Sequence, residues 1–262
     1  MKNIKRITVL LITLAVLKTA TGSVIITSIP KCGSNLLDKA VALLRKEITT
    51  SREEQGERLG LQGYVHLRQG HYRPTLHYHL HYNPHNLNII KKDNLRLLFI
   101  YRDPRDQILS FIPYMKKLRP QVAHEALRTI FRMNTSILQW PDNELKKYLI
   151  RQQENCYGLF LPWKDHPNTY AVKFEDLVGP EGGGSREAQV REVINIAKHM
   201  GRETSREQAL QIALQLFGGT GTFRKGKIGA WKEEFTTEKK ELCKKHFGQL
   251  LIDLGYEKDF DW

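Results

Sequence analysis

Val24-Ile25-Ile26-Thr27-Ser28-Ile29-Pro30-Lys31-Cys32-Gly33-Ser34-Asn35-Leu36-Leu37 is the stretch on which the reading of the fold turns. Val24 to Ile29 is a short, largely β-branched apolar run, the composition of a strand buried on both faces. Pro30 stops it. After the turn Lys31 to Ser34, the residues Leu36, Leu37, Ala40, Val41, Leu43 and Leu44 recur at helical spacing, which predicts a helix. A strand that passes through a glycine turn into a helix leaves unpaired amides and the positive end of the helix dipole at the turn, so the turn is an anion site. Lys31 adds a full charge. In the phosphate loop of nucleoside triphosphatases the Lys follows the second Gly, whereas Lys31 precedes Gly33 and the match fails. Taken alone, the segment reads equally well as a glycine turn with an exposed lysine.

Further along, the pattern repeats. Leu95 to Tyr101 is a second apolar strand, Arg102-Asp103-Pro104-Arg105 is a polar turn, and Asp106 to Lys117 carries Ile108, Leu109, Ile112 and Met115 along one helix face. A third strand is expected at Thr169 to Phe174. Glu175 and Asp176 follow it, placed to fix a loop or cap a helix rather than to act as a catalytic carboxylate pair. Helices are expected at Ala188 to Met200, Arg206 to Phe217 and Thr237 to Leu254, with Thr237 and Gly255 as start and stop signals of the last. Strands alternating with helices predict an α/β fold with a parallel sheet covered on both faces and ligands at the carboxyl ends of its strands. Both basic turns lie at such ends.

The chain of 262 residues shows no internal repeat and no long Pro- or Ser-rich linker, which points to one domain. Hydrophobic content of 40% and charged content of 26% argue against disorder and against a polytopic membrane protein. A net charge of +13 implies an anionic partner, which charge alone leaves open among nucleic acid, membrane surface and small phosphorylated ligand. Cys32, Cys156 and Cys243 are odd in number and widely spaced, giving neither a disulfide framework nor a zinc pattern. Met1 to Arg6 is basic, Ile7 to Leu17 apolar and Thr19 to Gly22 small, so residues 1–22 are signal-like and residues 23–262 form the domain. The apolar part is shorter than the about 20 residues a membrane span needs. A working signal implies a secretory or luminal location, with any membrane association through the N-terminus; otherwise the chain is cytoplasmic.

Three segments occur in order at the turns: Pro30-Lys31-Cys32-Gly33-Ser34-Asn35, then Arg102-Asp103-Pro104-Arg105-Asp106 with Ser110, then Arg224-Lys225-Gly226-Lys227-Ile228-Gly229-Ala230-Trp231-Lys232. Together they resemble the sulfotransferase family. The resemblance runs from Ser23 to Trp262, and the closing Leu254 to Trp262 is similar to the tail of bacterial-type members. It implies a three-layer, P-loop-like fold and 3'-phosphoadenosine 5'-phosphosulfate as co-substrate, without a metal. On the same basis Lys31, Cys32, Gly33, Ser34 and Asn35 form the turn around the 5'-phosphosulfate, Arg102 and Ser110 hold the 3'-phosphate, and Arg224, Lys225 and Gly226 close over it. An Arg fork suits phosphate oxygens, while a Lys point charge can follow a bridging oxygen as charge builds there. Family members often carry an aromatic residue that stacks on adenine where this chain has Leu36; Phe223 is a substitute. Phe174 stands where many relatives have Tyr. Arg105 reads as a surface or salt-bridging residue.

His66, His71, His77, His79, His81 and His85 fall in one short stretch, and alternation of His77, His79 and His81 would put three imidazoles on one strand face, as a metal site could use. No carboxylate accompanies them between Tyr72 and Leu87. Tyr78-His79-Leu80 resembles the segment bearing the general base of cytosolic sulfotransferases, which makes His79 the candidate base, with His77 and His81 as alternatives. His77 also occupies a position where the family often has a second Lys. The implied chemistry is in-line sulfuryl transfer to a hydroxyl, with His79, Lys31 and Ser110 as catalytic residues. Two rivals are a kinase-like nucleotide enzyme, which lacks its lysine position, and a nucleic-acid-binding module, which would want a continuous basic face. Glycan, lipid, phenol and peptide tyrosine all remain open as acceptors. Pro113 to Pro167 is expected to be mostly helical, and its Tyr114, Phe131, Trp140, Tyr148, Tyr157 and Trp163 serve either the acceptor pocket or the core.

Overall fold

The computed structural model describes residues 24–45, 76–92, 95–220 and 223–262. The signal-like segment 1–22, His66, His71 and the side chain of His77 lie outside the described residues. Four parallel strands, β1 (Val24–Ser28), β2 (Leu76–Tyr78), β3 (Arg96–Tyr101) and β4 (Thr169–Lys173), pair in the order β2-β1-β3-β4. Alternation along the two central strands divides the core. Val24, Ile26, Leu98 and Ile100 point to the face covered by α1 (Ser34–Arg45), α7 (Arg186–His199) and α8 (Arg206–Leu216), meeting Leu37, Val41, Val193, Ile196 and Ala213. Ile25, Leu97 and Phe99 point the other way, to a core completed by α3 (Pro104–Lys117), α5 (Asp142–Gly158) and α10 (Thr237–Asp253). Each large apolar side chain so buried contributes about 1.5–3 kcal/mol. The expected three layers with a parallel sheet at the centre are observed.

Element ends differ from expectation where side chains intervene. α3 starts at Pro104 rather than Asp106, because the Asp103 carboxylate caps the Arg105 amide and Pro104 needs no acceptor at the first helical position. Ser110 therefore lies nearly two turns inside α3. β4 ends at Lys173, paired with Tyr101, and Phe174 opens the single turn α6 (Phe174–Leu177) instead of closing the strand. Beyond Tyr101 the neighbouring chain turns into Asp103-Pro104, so Phe174 has no ladder partner. Thr236, not Thr237, caps α10. The strand β2 and the helix α2 (Pro84–Lys92) had no individual signal; β2 is three residues long and α2 buries only Ile90.

Between Pro113 and Pro167 the chain is helical apart from short connections, with α4 (Pro120–Ala126), a π-helical turn Leu127–Phe131 and α5. Phe131, Tyr157 and Trp163 are core residues. Trp140 sits against Tyr148 at 5.3 Å, exposed.

Of the two readings of Arg105, the salt-bridging one holds, and the residue is buried rather than on the surface. Arg105 is 1% exposed, and its guanidinium bonds Asp103 at 2.8 Å and Glu257 at 2.5 Å and lies 3.7 Å from the Trp231 ring centroid and 4.5 Å from that of Trp262. The C-terminal tail is thus folded onto the start of α3 by one cation. Arg105→Ala leaves two carboxylates without their partner in a desolvated place, and the expected cost is about 3–5 kcal/mol in urea denaturation; a loss under ~1 kcal/mol would show that the clamp is dispensable.

Candidate active site

The turn after β1 is held in a conformation few sequences accept. Lys31 has φ 70° and Gly33 φ 100°. At Gly33 a Cβ would come within 2.5 Å of Phe174 Cδ2, so both the space and the backbone angle require glycine. The helical bonds of α1 begin with the Leu36 and Leu37 amides on the Gly33 carbonyl, which puts the Gly33 and Ser34 amides ahead of the first intrahelical bond, open to an anion along with the dipole. Asn35 lies in the same first turn. The Lys31 ammonium rests 3.7 Å from the centroid of the Tyr114 ring. Cys32 faces inward: its thiol is buried beside the Tyr157 hydroxyl at 3.6 Å and burial pushes its pKa up to about 12. Its backbone amide donates to the Ile29 carbonyl at 3.2 Å, so Cys32 shapes the turn rather than offering a donor to an anion.

After β3, Arg102 is buried with its guanidinium 4.3 Å above the Phe174 ring. Its Nη2 donates to the Lys227 carbonyl at 2.5 Å, and its Nε is buried without a partner among the described residues. A buried guanidinium donor in that condition marks a place where an acceptor belongs. Phe174 therefore serves both turns, as the wall behind Gly33 and the floor under Arg102.

Asp106 brings the third segment in. Its two carboxylate oxygens accept the Gly229 amide at 2.7 Å and the Trp231 amide at 3.1 Å, with Arg102 3.5 Å away. Desolvation raises its pKa, opposed by Arg102 and by both amides. The loop is further tied by the Ile228 amide on the Gly182 carbonyl and Lys227 Nζ on the Glu181 carbonyl. Arg224 Nη2 donates to the Leu109 carbonyl at 3.1 Å, which sets it against α3 next to half-buried Ser110. Lys225 turns away to Glu234 at 3.3 Å, so its side chain does not join Arg102 and Arg224. Gly226 has φ 59°, and a Cβ there would strike the Phe223 ring at 2.7 Å. Phe223 is 42% exposed and edge-on to Phe217; with Leu36, Phe174, Val178 and Leu216 it lines a shallow apolar crevice. It is not a core residue.

His79 follows β2 directly. Its Nδ1 lies 2.9 Å from the Ser28 carbonyl, which can only accept, so Nδ1 carries the hydrogen and Nε2 the lone pair. Burial lowers its pKa to about 4, opposed by that bond and reinforced by the positive charges of Lys31 and His81. The imidazole is neutral near pH 7. His81 is held elsewhere, with Nε2 2.6 Å from the Ile130 carbonyl and its ring on Phe160. No group of three metal-ligating side chains occurs among the described residues. Glu175 does fix a loop: it accepts the Asp103 amide at 3.0 Å and the Tyr256 hydroxyl at 2.9 Å, and burial raises its pKa to about 6.

A family model of the sulfotransferase domain matches residues 21–179. The chain belongs to the sulfotransferase family. The sulfotransferase fold extends past the matched stretch, as solved structures show: mouse sulfotransferase SULT7A1 complexed with PAP superposes with TM-score 0.56 at 16% identity, over 90% of this chain and 88% of that one. Retinol dehydratase in a complex with retinol and PAP gives 0.55 at 16%, over 88% and 81%, and its complex with androsterone and inactive cofactor PAP gives 0.53 at 14%, over 88% and 80%. At these identities the likeness is one of fold. No curated protein matches the sequence.

Within this sulfotransferase the matched stretch holds Lys31, His79, Arg102, Ser110 and Phe174, whereas Phe223 to Gly226 lie outside it and reach the site through Asp106. Asp106 was visible only as a member of the Arg102-Asp106 motif, since its partners come 123 and 125 residues later. Asp106→Asn keeps the shape but weakens two charge-assisted bonds worth roughly 1.5–3 kcal/mol each. Hydrogen exchange at the Gly229 and Trp231 amides should accelerate about tenfold or more, with the β3 amides unchanged; unaltered protection at 229 and 231 would remove Asp106 from this role.

Proposed function

We propose that this sulfotransferase moves the sulfuryl group of 3'-phosphoadenosine 5'-phosphosulfate to the hydroxyl of an acceptor by in-line displacement. The observation that carries the reading is that two separate anion turns, Lys31 to Ser34 and Arg102 with Arg224, lie at the carboxyl ends of the two central strands beside an apolar crevice that holds Phe223. A nucleoside with an anionic group at each end suits that arrangement. Two features of the chain fit the donor: the Arg102 Nε lacks an acceptor, and a side chain at position 33 would close the turn.

The residues divide the work. The amides of Gly33 and Ser34 with Asn35 and Lys31 receive the 5' end, Arg102, Ser110 and Arg224 receive the 3'-phosphate, and Leu36, Phe174 and Phe223 border the base. His79 Nε2 takes the proton as the acceptor oxygen bonds to sulfur, and Lys31 offsets the charge left on the phosphate oxygen as the other sulfur–oxygen bond breaks. Adenosine 3',5'-bisphosphate leaves. The Tyr114 face holds the Lys31 ammonium near this point beforehand, which suits a single lysine serving where His77 stands in place of a second one. Neighbours complexed with retinol and androsterone support a hydroxyl-bearing small molecule as acceptor.

Lys31→Ala and Arg224→Ala should each weaken binding of adenosine 3',5'-bisphosphate about tenfold or more in calorimetry, as loss of a charge-assisted contact requires. His79→Ala should keep that affinity and lose about 10²–10⁴-fold in turnover with labelled donor. Unchanged affinity in the first two, or normal turnover in the third, would contradict the assignments.

The depressed pKa of His79 sets the pH dependence. The base form persists as pH falls through 6.5 and is lost only towards about 4, so kcat/KM should hold between those values and then decline. An acid limb at or above 6.5 would place the essential base on another residue.

A further inference from the structure

The last ladder partners of β1 and β3 are Ser28 and Ile100, and past them the sheet no longer holds the two anion turns together. A buried polar network takes over. Gln107 Nε2 donates to the Pro30 carbonyl at 2.8 Å, and Gln153 Nε2 donates both to Gln107 Oε1 at 2.9 Å and to the Pro104 carbonyl at 3.1 Å. In parallel, the Tyr157 hydroxyl donates to the Arg102 carbonyl at 2.7 Å. Having spent its only hydrogen there, its oxygen is left to accept the Cys32 thiol at 3.6 Å, and that thiol stays protonated because burial has raised its pKa. Two routes thus run from the first turn to the second, one through amides and one through hydroxyl and thiol. Gln153 and Tyr157 sit one turn apart on α5, so a single helix braces both.

Gln107, Gln153 and Tyr157 are 3%, 2% and 0% exposed, respectively, so none can reach a ligand and each must find its partners within the protein. Of the groups they grip, three are backbone carbonyls of Pro30, Arg102 and Pro104 and one is the Cys32 thiol, all within or beside the two anion turns. An apolar core at this place would have packed the helix equally well. What polar side chains add is direction and length: each bond fixes a carbonyl within a few tenths of an ångström, whereas packed methyl groups tolerate sliding.

We propose that Gln107, Gln153 and Tyr157 are positioning residues that set the separation of the two anion turns and so select a ligand anionic at both ends over one anionic at either end alone. The inference rests on the donor reading above and deepens it. A ligand with one phosphate engages one turn and is indifferent to the distance between them. A ligand with two gains the second contact only if the spacing is right, in the manner of a bivalent ligand spanning two fixed sites.

The test measures three affinities on the full chain, by calorimetry or displacement: adenosine 3',5'-bisphosphate, adenosine 5'-monophosphate and adenosine 3'-monophosphate. The variants are Tyr157→Phe, which keeps the ring, Gln153→Met, which keeps the volume, and the pair combined. The double variant should lose about tenfold of its bisphosphate affinity while each monophosphate changes by less than about twofold, with smaller losses in the same pattern for the singles. Equal loss across all three ligands would mean a site weakened as a whole, and no loss would mean that the sheet alone sets the spacing; either overturns the proposal. If the double variant does not fold, the two single variants decide it by the same ratio. Parent protein that binds no adenosine bisphosphate would instead sink the donor reading, a result distinct from the other two.

Discussion

One buried carboxylate holds the candidate site together. Asp106 sits in the first turn of α3, accepts two amides from the segment that follows residue 226, and lies beside Arg102, whose own Nη2 reaches the Lys227 carbonyl. A charge so far from water is costly unless all its lone pairs are used, and here backbone amides use them. Because the partners are amides rather than side chains, the grip falls on the path of the loop. Arg224 and Gly226 inherit their places from that path.

Three cations near the site lie on aromatic faces, and Arg102 has the Asp106 carboxylate beside it as well. Lys31 lies over Tyr114, Arg102 over Phe174, and Arg105 between Trp231 and Trp262. An aromatic face fixes a cation in space while cancelling little of its charge, whereas a close carboxylate would compete with an incoming anion. Arg105 is the contrast: held by Asp103 and Glu257, its charge is consumed in fastening the tail. Neighbouring arginines of one motif thus differ: Arg102 keeps a buried Nε without a partner among the described residues, and Arg105 fastens the tail. The same positive field reaches His79, whose neutral form it favours together with burial.

Much of this was legible in the chain. The strand, turn and helix around Gly33 and their echo around Arg102 rest on local periodicity and on the conformational demands of Pro and Gly, which a short window contains, whereas the choice of His79 rests on the family resemblance of Tyr78-His79-Leu80. The element ends were less so, because Asp103 and the loss of Phe174's ladder partner act through single contacts. β2 was hidden by its brevity. Phe174 and Arg105 were placed in the right neighbourhood with incomplete roles, since a cation-on-ring contact has no sequence period.

The amino-acid sequence by itself determined the layered parallel architecture and the positions of the two strand-to-helix turns, because each follows from residues within a few positions of one another, while the groups expected to line them came from the family resemblance. Only the tertiary structure decided which of those groups meet. Lys225 leaves the site, Cys32 faces inward, Asp106 captures a loop from beyond residue 223, and Gln153 and Tyr157 brace the turns from a helix with no motif of its own. The reason is physical: buried hydrogen bonds between distant segments depend on where two rigid elements pack, and packing belongs to the whole chain rather than to any stretch of it.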